Sequence, residues 1–393
     1  RDLHGAFPMK AVFMLVLVFA WFGAHWYVHR RVVNSFAPSR RVSRVLAVLL
    51  LLAAVGWPLS HAVVRVSDGP LALAAGGAAA LWMGYLAVLV MVLVPADLVL
   101  VGGVRLLVKA RVLARGLLRP TRILSFVLAA CTAVGISIAA MSVALGPVKV
   151  HTEEVALPGL PLEFDGRVLA FLSDVHHGGL VGTSDIDRIE HAVRLVNPDW
   201  VILGGDLTDE EGGGDPSVFR RFARFSGPGS VFAVSGNHER YSGGEKVLDA
   251  LSSSGIRVLR QESVCIDDAF CVAGVDDPAH LGTGSRPDAS LLQAIATTAP
   301  GLPVVLASHQ PINVELAASA GVDLMLSGHT HHGQFPPATI FTPLVYPYWA
   351  GRYQVQSMIL YVSAGAGFWG PPLRLGSRPE VVRIVLRSRT VAR

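Results

Sequence analysis

The stretch VDLMLSGHTHHGQ (322–334) sets an apolar run, 322–326, directly before three histidines in four positions, His329, His331 and His332. The run is too short for a helix and continuous enough to be a strand covered on both faces, which is the signature of a sheet with helices packed on it. The histidines that follow need a reason. A surface turn has no use for imidazole, and a buried one leaves ring nitrogens in want of partners; a transition-metal ion meets both objections. Taken alone, the turn reads equally well as a polar loop that happens to be rich in histidine. The rest of the chain has to decide.

Working outward, four more segments have the same form: RVLAFLSD (167–174), DWVILGGD (199–206), GSVFAVSGN (229–237) and LPVVLASH (302–309). Between them, helical patterns cover 184–196, stopped by Pro198, 245–254, ended by Gly255, and 312–320, ended by Gly321. EEGGGD (210–215) reads as a flexible loop, and there is no internal repeat. This is an α/β domain. In such sheets, sites form outside the carboxyl ends of the strands. Here those ends deliver Asp174 and His176, then Asp206 and Asp209, then Asn237, His238 and Glu239, then His309, then His329 and His331. An Asp/Asn/His set suits Mn, Fe or Zn rather than a thiolate-seeking metal. Seven of these acting as ligands would exceed the needs of one ion. Two ions about 3.5–4 Å apart, sharing a carboxylate, would use them all, lower the pKa of a bridging water and clamp phosphoryl oxygens. That is phosphoester hydrolysis by a metal-bridging hydroxide.

As an ordered set, Asp174-x-His176, Gly205-Asp206-x-x-Asp209, Gly236-Asn237-His238-Glu239, His309 and Gly328-His329-x-His331 resembles the signature of the calcineurin-like metallophosphoesterases, over roughly 168–386. The resemblance implies a four-layer α/β/β/α sandwich. It implies that Asp174, His176 and His331 hold one divalent ion, Mn before Fe or Zn, that Asn237, His309 and His329 hold a second, and that Asp206 bridges them. In that scheme His238 is the general acid toward the leaving oxygen, oriented by Asp209, and Glu239 supports the ligands from behind. His177 and His332 are read as solvated loop residues outside the ligand set. The closing segment SAGAGFWGPPLRLGSRPEVVRIVL (363–386), with the preceding HHGQ, is similar to a membrane-associated branch. Some of its members are phosphodiesterases, and others hydrolyse UDP-2,3-diacylglucosamine in lipid A synthesis on the cytoplasmic side.

Of the 393 residues, 52 % are hydrophobic and 16 % charged, and the apolar ones gather early, in runs at 9–28, 45–64, 71–101 and 123–145. Each matches a spanning helix of about 20 residues, so four transmembrane α-helices are expected to precede the sandwich. The division is a membrane domain at 1–150 and a catalytic domain at 151–393. A cleaved signal peptide fits poorly with three further spans behind it, and RDLHGAFP (1–8) reads as an appendage ahead of Met9. Charge divides the same way: residues 1–150 carry 15 Lys/Arg against 3 Asp/Glu, and 151–393 carry 18 against 26. The acidic domain has no basic footprint for nucleic acid. Arginines fill the first and third inter-span loops while the second has Arg65 alone, so the positive-inside rule puts both termini and the catalytic domain outside the cytoplasm, on a multi-pass inner-membrane protein. The Ala/Val/Gly/Leu/Arg bias is that of a GC-rich bacterial genome.

Cys265 and Cys271 face each other in the hairpin SVCIDDAFCVAGV (263–275), which leaves a cross-strand disulfide and two separate strand thiols both open; Cys131 is a small apolar residue of the fourth span. The run FPPATIFTPLVYPYWAGRY (335–353), rich in aromatics and proline, reads either as a lipid-facing lip or as a loop packed on the sheet. His25, His29, His61 and Asp97 fall near span ends and read as interfacial. The expected function is a membrane-anchored phosphoesterase acting on phosphodiester or pyrophosphate bonds of a phosphorylated, membrane-proximal or lipid-linked substrate. The competing classes are the lipid A hydrolase, a non-catalytic sensor, which should have lost ligands, and a transporter, which should have polar residues in mid-span. Oligomeric state is left open.

Overall fold

The computed structural model describes residues 6–64, 69–209, 215–225, 227, 229–282 and 285–389. They form two compact units, one of 1–63 with 74–139 and one of 64–73 with 140–393. Most of the expected loop at 210–215, and Arg65, lie outside the described residues.

The helical unit is built from α1 (Ala6–Phe36), α2 (Arg40–Val64), α3 (Pro70–Ala96), α4 (Gly102–Lys109) and α5 (Leu118–Ala144). Among the described residues, three helical segments are long and apolar enough to cross a membrane: Arg40–Ser60, Leu71–Lys109 and Arg115–Ala144. The first expected span, 9–28, falls in α1, whose side chains before residue 15 are not described. A single π-helical turn at Asp97–Val101 joins α3 to α4 and aims Asp97 into the unit. Asp97 pairs with the buried Arg31 at 2.6 Å and accepts from the Tyr27 hydroxyl at 2.8 Å. His25 is buried too, accepting from Trp82 Nε1 at 2.9 Å.

The second unit holds β1 (Lys149–Pro158), β2 (Val168–Leu172), α6 (Thr183–Val196), β3 (Trp200–Leu203), β4 (Val231–Ala233), α7 (Asn237–Ser242), α8 (Glu245–Ser253), β5 (Arg257–Val258), β6 (Glu262–Ile266), β7 (Phe270–Gly274), α9 (Pro287–Ala296), β8 (Val304–Ala307), α10 (Val314–Ser319), β9 (Leu324–Ser327), α11 (Ala338–Val345), β10 (Gly351–Val355), β11 (Met358–Val362) and β12 (Glu380–Arg389). One sheet runs β1-β12-β2-β3-β4-β5 and the other β10-β11-β9-β8-β7-β6. β2, β3 and β4 are mutually parallel, as are β7, β8, β9 and β11.

Continuous apolar runs are what a four-layer stack requires, because each strand has two dry faces. In β2, Leu169 and Phe171 enter the core between the sheets, while Val168, Ala170 and Leu172 meet Ile186, Ile189 and Val193 of α6. In β9, Leu324 and Leu326 face the other sheet and Met325 faces α9 and α10. Phe171 is fully buried between the sheets, so Phe171→Ala is expected to cost about 3–5 kcal/mol. α6 ends at Asn197, whose φ of 48° turns the chain into Pro198. The hairpin β6–β7 pairs Cys265 with Cys271, and a disulfide joins them. The edge strand β1 was not legible as such: five of its ten residues are exposed and three half-buried, with only Val155 and Leu157 buried against the other sheet.

Candidate metal centre

The five loops leaving β2, β3, β4, β8 and β9 converge, and the strain of that convergence is visible in the backbone. Asp174, His176, Asp206, His329 and His331 have positive φ, between 49° and 68°. Non-glycine residues rarely adopt this region, and where several do so together the surrounding fold must hold them there. Two glycines make the approach possible: a Cβ at Gly236 would lie 2.2 Å from Asp206 Oδ1, and one at Gly328 would lie 2.3 Å from Asp174 Oδ2.

Three groups of possible ligand atoms, each within 4.8 Å of one another, result: Asp174, His176 and His331; His176, Asp206 and His238; and Asp206, His309 and His329. Within them, His176 Nε2 faces His331 Nε2 at 3.0 Å, and His309 Nε2 lies 3.1 Å from Asp206 Oδ2. His309 Nδ1 is bonded to the Gly204 carbonyl at 2.8 Å, which fixes Nε2 as the atom aimed inward. The His329 amide donates to both Asp174 oxygens, at 2.9 and 3.1 Å. Asn237 opens α7 beside them.

Burial dominates the electrostatics. It pushes the Asp174 carboxyl up to about 6 and the His329 imidazole down to about 3, and it holds His176 and His331 well below the ordinary histidine value. Burial alone would raise Asp206 too, but His309, His238 and His176 around it pull it well below the usual carboxylate range. His309 is the counterpart: burial would lower it, and the Asp206 carboxylate lifts it well above its ordinary value.

Whether these residues suit divalent metal can be tested on the polar atoms they leave over. Buried polar atoms are nearly always bonded. Yet Asn237 Oδ1 and His176 Nδ1 are buried without a hydrogen-bond partner, and two imidazole nitrogens face each other in the His176–His331 contact. Together with two carboxylates this donor set is oxygen and nitrogen, borderline in softness, and fits Mn, Fe or Zn.

His238 and Asp209 are also brought together. His238 Nδ1 lies 3.2 Å from Asp209 Oδ1, its ring is edge-on to His176 at 4.6 Å, and Tyr241 and Trp369 flank it at 5.9 and 6.3 Å. Glu239 accepts four backbone amides, from Asp206, Leu207, Thr208 and Gly236, at 2.6–3.0 Å, stitching two of the loops into one floor. His177 and His332 are outside the three groups, but neither is a solvated loop residue. His177 is buried with Nδ1 on the Val181 carbonyl, and His332 Nε2 meets the Val362 carbonyl at 2.9 Å.

Three residues escaped sequence reasoning. Tyr346 places its hydroxyl 2.8 Å from His329 Nε2. Gln334 donates to the Trp369 and Pro371 carbonyls and accepts from the Trp369 amide. Arg374 is fully buried, its guanidinium spans the carbonyls of Ala364, Gly365 and Gly367, and it lies 3.4 Å from His331 Nδ1; burial pulls it down to about 10. The only signal for Arg374 in the sequence was a charged residue amid FWGPPLRLG, a segment otherwise apolar.

The pattern defining the calcineurin-like phosphoesterases matches residues 168–333. A transmembrane protein with metallophosphoesterase domain from Bos taurus is 33 % identical over 64 % of this chain and 60 % of its own length. An uncharacterized metallophosphoesterase of Aquifex aeolicus is 32 % identical over 55 % of this chain and 84 % of its own. This chain thus spans about three fifths of the bovine relative and most of the bacterial one. A solved dimetal phosphatase from Danio rerio covers 51 % of this chain and 88 % of its own at 15 % identity and a TM-score of 0.34, a likeness too low to carry any argument.

Proposed function

We propose, from the premise that this chain belongs to the calcineurin-like metallophosphoesterase family and is a metal-dependent phosphoesterase, that it is a membrane-anchored, dinuclear hydrolase of phosphodiester or pyrophosphate bonds in a membrane-proximal or lipid-linked substrate. The observation that carries this reading is the chain of overlapping ligand groups, Asp174, His176 and His331 joined through His176 to Asp206, and Asp206 in turn grouped with His309 and His329, with Asn237 Oδ1 left without a donor beside them. Asp174, His176 and His331 would hold one ion, Asn237, His309 and His329 the other, and Asp206 both. When bound, such a pair supplies Lewis acidity toward a phosphoryl group and a water acidic enough to ionise near neutral pH.

The chain's own residues do the rest. Glu239 and the glycine turns hold the ligand loops in place before substrate arrives. Asp209 accepts from His238 Nδ1–H, which orients the ring and stabilises its imidazolium form, so that Nε2 can carry the second proton that a general acid gives up. That proton goes to the leaving oxygen as a water oxygen bonds to phosphorus and the old P–O bond breaks, so the leaving oxygen departs as a hydroxyl group. Trp369 and Tyr241 pack on the same ring and limit its rotation.

Four spans at 1–150, counting α1 with the three apolar segments, would anchor a catalytic domain at 151–393, and the arginine-rich first and third loops favour its placement outside the cytoplasm of an inner membrane. The test is hydrolysis by the purified full chain of a panel of phosphomonoesters, phosphodiesters, sugar-nucleotide pyrophosphates and phospholipids, with Mn, Fe or Zn restored after chelation. Metal-restored cleavage of a diester or pyrophosphate is expected. Cleavage of monoesters alone, or cleavage indifferent to chelation, would overturn the reading.

A further inference from the structure

We propose that α11 is a membrane-docking surface, lying in the interface of the same bilayer that α5 spans. From 335 to 350 the chain has no charged residue, and every exposed residue there is apolar. On α11, Ile340, Phe341, Leu344 and Val345 form one stripe at i, i+1, i+4 and i+5, with Phe341 58 % and Leu344 78 % exposed. No residue of the helix is buried. A contiguous apolar patch of this kind on a protein surface marks an interaction site.

The bilayer is the occupant because of what stands next to α11. The apolar segment Arg115–Ala144 ends in the last turn of α5, and residues 140–144 belong to the sandwich unit. Ala144 packs on Val181 and Phe368. The Ala140 carbonyl accepts from the Arg374 amide at 3.0 Å, and the next amide, of Leu375, donates to the Gln334 carbonyl at 2.8 Å, four residues before α11 begins. Val143 and Gly376 line one cavity of about 500 Å³, and a Cβ at Gly376 would lie 4.0 Å from Thr339 of α11. The exposed apolar stripe is therefore anchored through Gln334 and Gly376 to the place where a spanning helix leaves the lipid. A short uncharged helix so held, with Tyr346 and Trp349 directly after it, matches an interfacial segment whose aromatic residues sit at headgroup level. Since Tyr346 also reaches His329, docking would hold the metal centre at the lipid surface.

The inference rests on reading the apolar helices as spanning a bilayer, and it is independent of which phosphoester is cut. It is tested on the full chain carrying Cys131→Ala, with single cysteines placed by Leu344→Cys or Val345→Cys on α11, Leu52→Cys in the span Arg40–Ser60, or Leu195→Cys on the exposed face of α6. Each is labelled with an environment-sensitive fluorophore and reconstituted at low density in phosphatidylcholine vesicles containing brominated acyl chains. Labels at 344 and 345 are expected to be quenched several-fold more than the label at 195, with the label at 52 quenched as a spanning site. Quenching at 344 and 345 equal to that at 195, with 52 quenched, overturns the proposal. Protection of α11 that grows with protein-to-lipid ratio overturns it in favour of a second copy. An unquenched label at 52 overturns the membrane reading itself, and this inference with it.

Discussion

Two buried polar networks, one in each unit, differ in a way that separates structure from chemistry. In the helical unit, Arg31 donates to Asp97, Ser35, Ser125 and the Arg122 carbonyl, and Asp97 also accepts from Tyr27. Charge meets charge and the guanidinium is enclosed by acceptors. In the sandwich unit, the cluster around Asp206 leaves Asn237 Oδ1 and His176 Nδ1 without partners and holds five residues at positive φ. Burying a polar group without a partner costs free energy that the first network avoids and the second incurs. A network closed on itself stabilises its fold; one left open at buried acceptors is arranged for something that is added later.

Substitutions can break this contrast, and the largest effect is expected at Asp206. Asp206→Ala removes the one carboxylate common to two ligand groups, so metal analysis should fall from about two ions per chain toward none, and turnover by roughly 10⁴-fold or more. Retention of one ion with most of the activity would show that the cluster does not depend on a shared ligand. Next comes His238→Ala, expected to keep both ions while turnover drops about 10²–10⁴-fold. That loss should shrink for a nitrophenolate leaving group, which departs without a proton; equal losses on good and poor leaving groups would remove the general-acid role.

A smaller effect is expected at Arg374, which touches no substrate and acts through the carbonyls and the imidazole it braces. Arg374→Ala should weaken metal affinity about 10–100-fold, the usual cost of losing a group behind a ligand, and Arg374→Lys should recover only part, because ammonium lacks the guanidinium fork. Equal affinity in all three proteins, read by metal titration, would leave Arg374 a purely structural brace. Smallest for the chemistry is Asp97→Asn. It should lower the stability of the chain in detergent by about 2 kcal/mol, the scale of a hydrogen bond to a charged group, by leaving Arg31 without its charge partner, while metal content and turnover stay as in the parent. A change in metal content there would erase the distinction between the two networks.

Much of the sandwich was legible because its signals are local. Five runs such as VLAFL and LMLS could be read as strands since burial on both faces demands apolar residues at every position, and Pro198, Gly255 and Gly321 punctuated the helices between them. Of the strands not read from the sequence, which include the buried β11 and β12, the edge strands β1 and β10 have the converse pattern, with partly exposed faces on which their partners β12 and β11 confer strand geometry. The hairpin placed Cys265 opposite Cys271 by spacing alone, but only the structure joined them.

The sequence by itself determined which residue types stand at the ends of which strands, because apolar periodicity and the turn residues after it are written within a few positions of each other. Tertiary structure alone decided what those residues meet. Arg374 under His331, Gln334 against Trp369 and Tyr346 on His329 join positions 17 to 43 residues apart, and Arg31 finds Asp97 across 66. No local pattern encodes such pairs, since a side chain's partner is set by how whole layers stack and cross, and each buried charge or imidazole takes whatever group that stacking brings within reach.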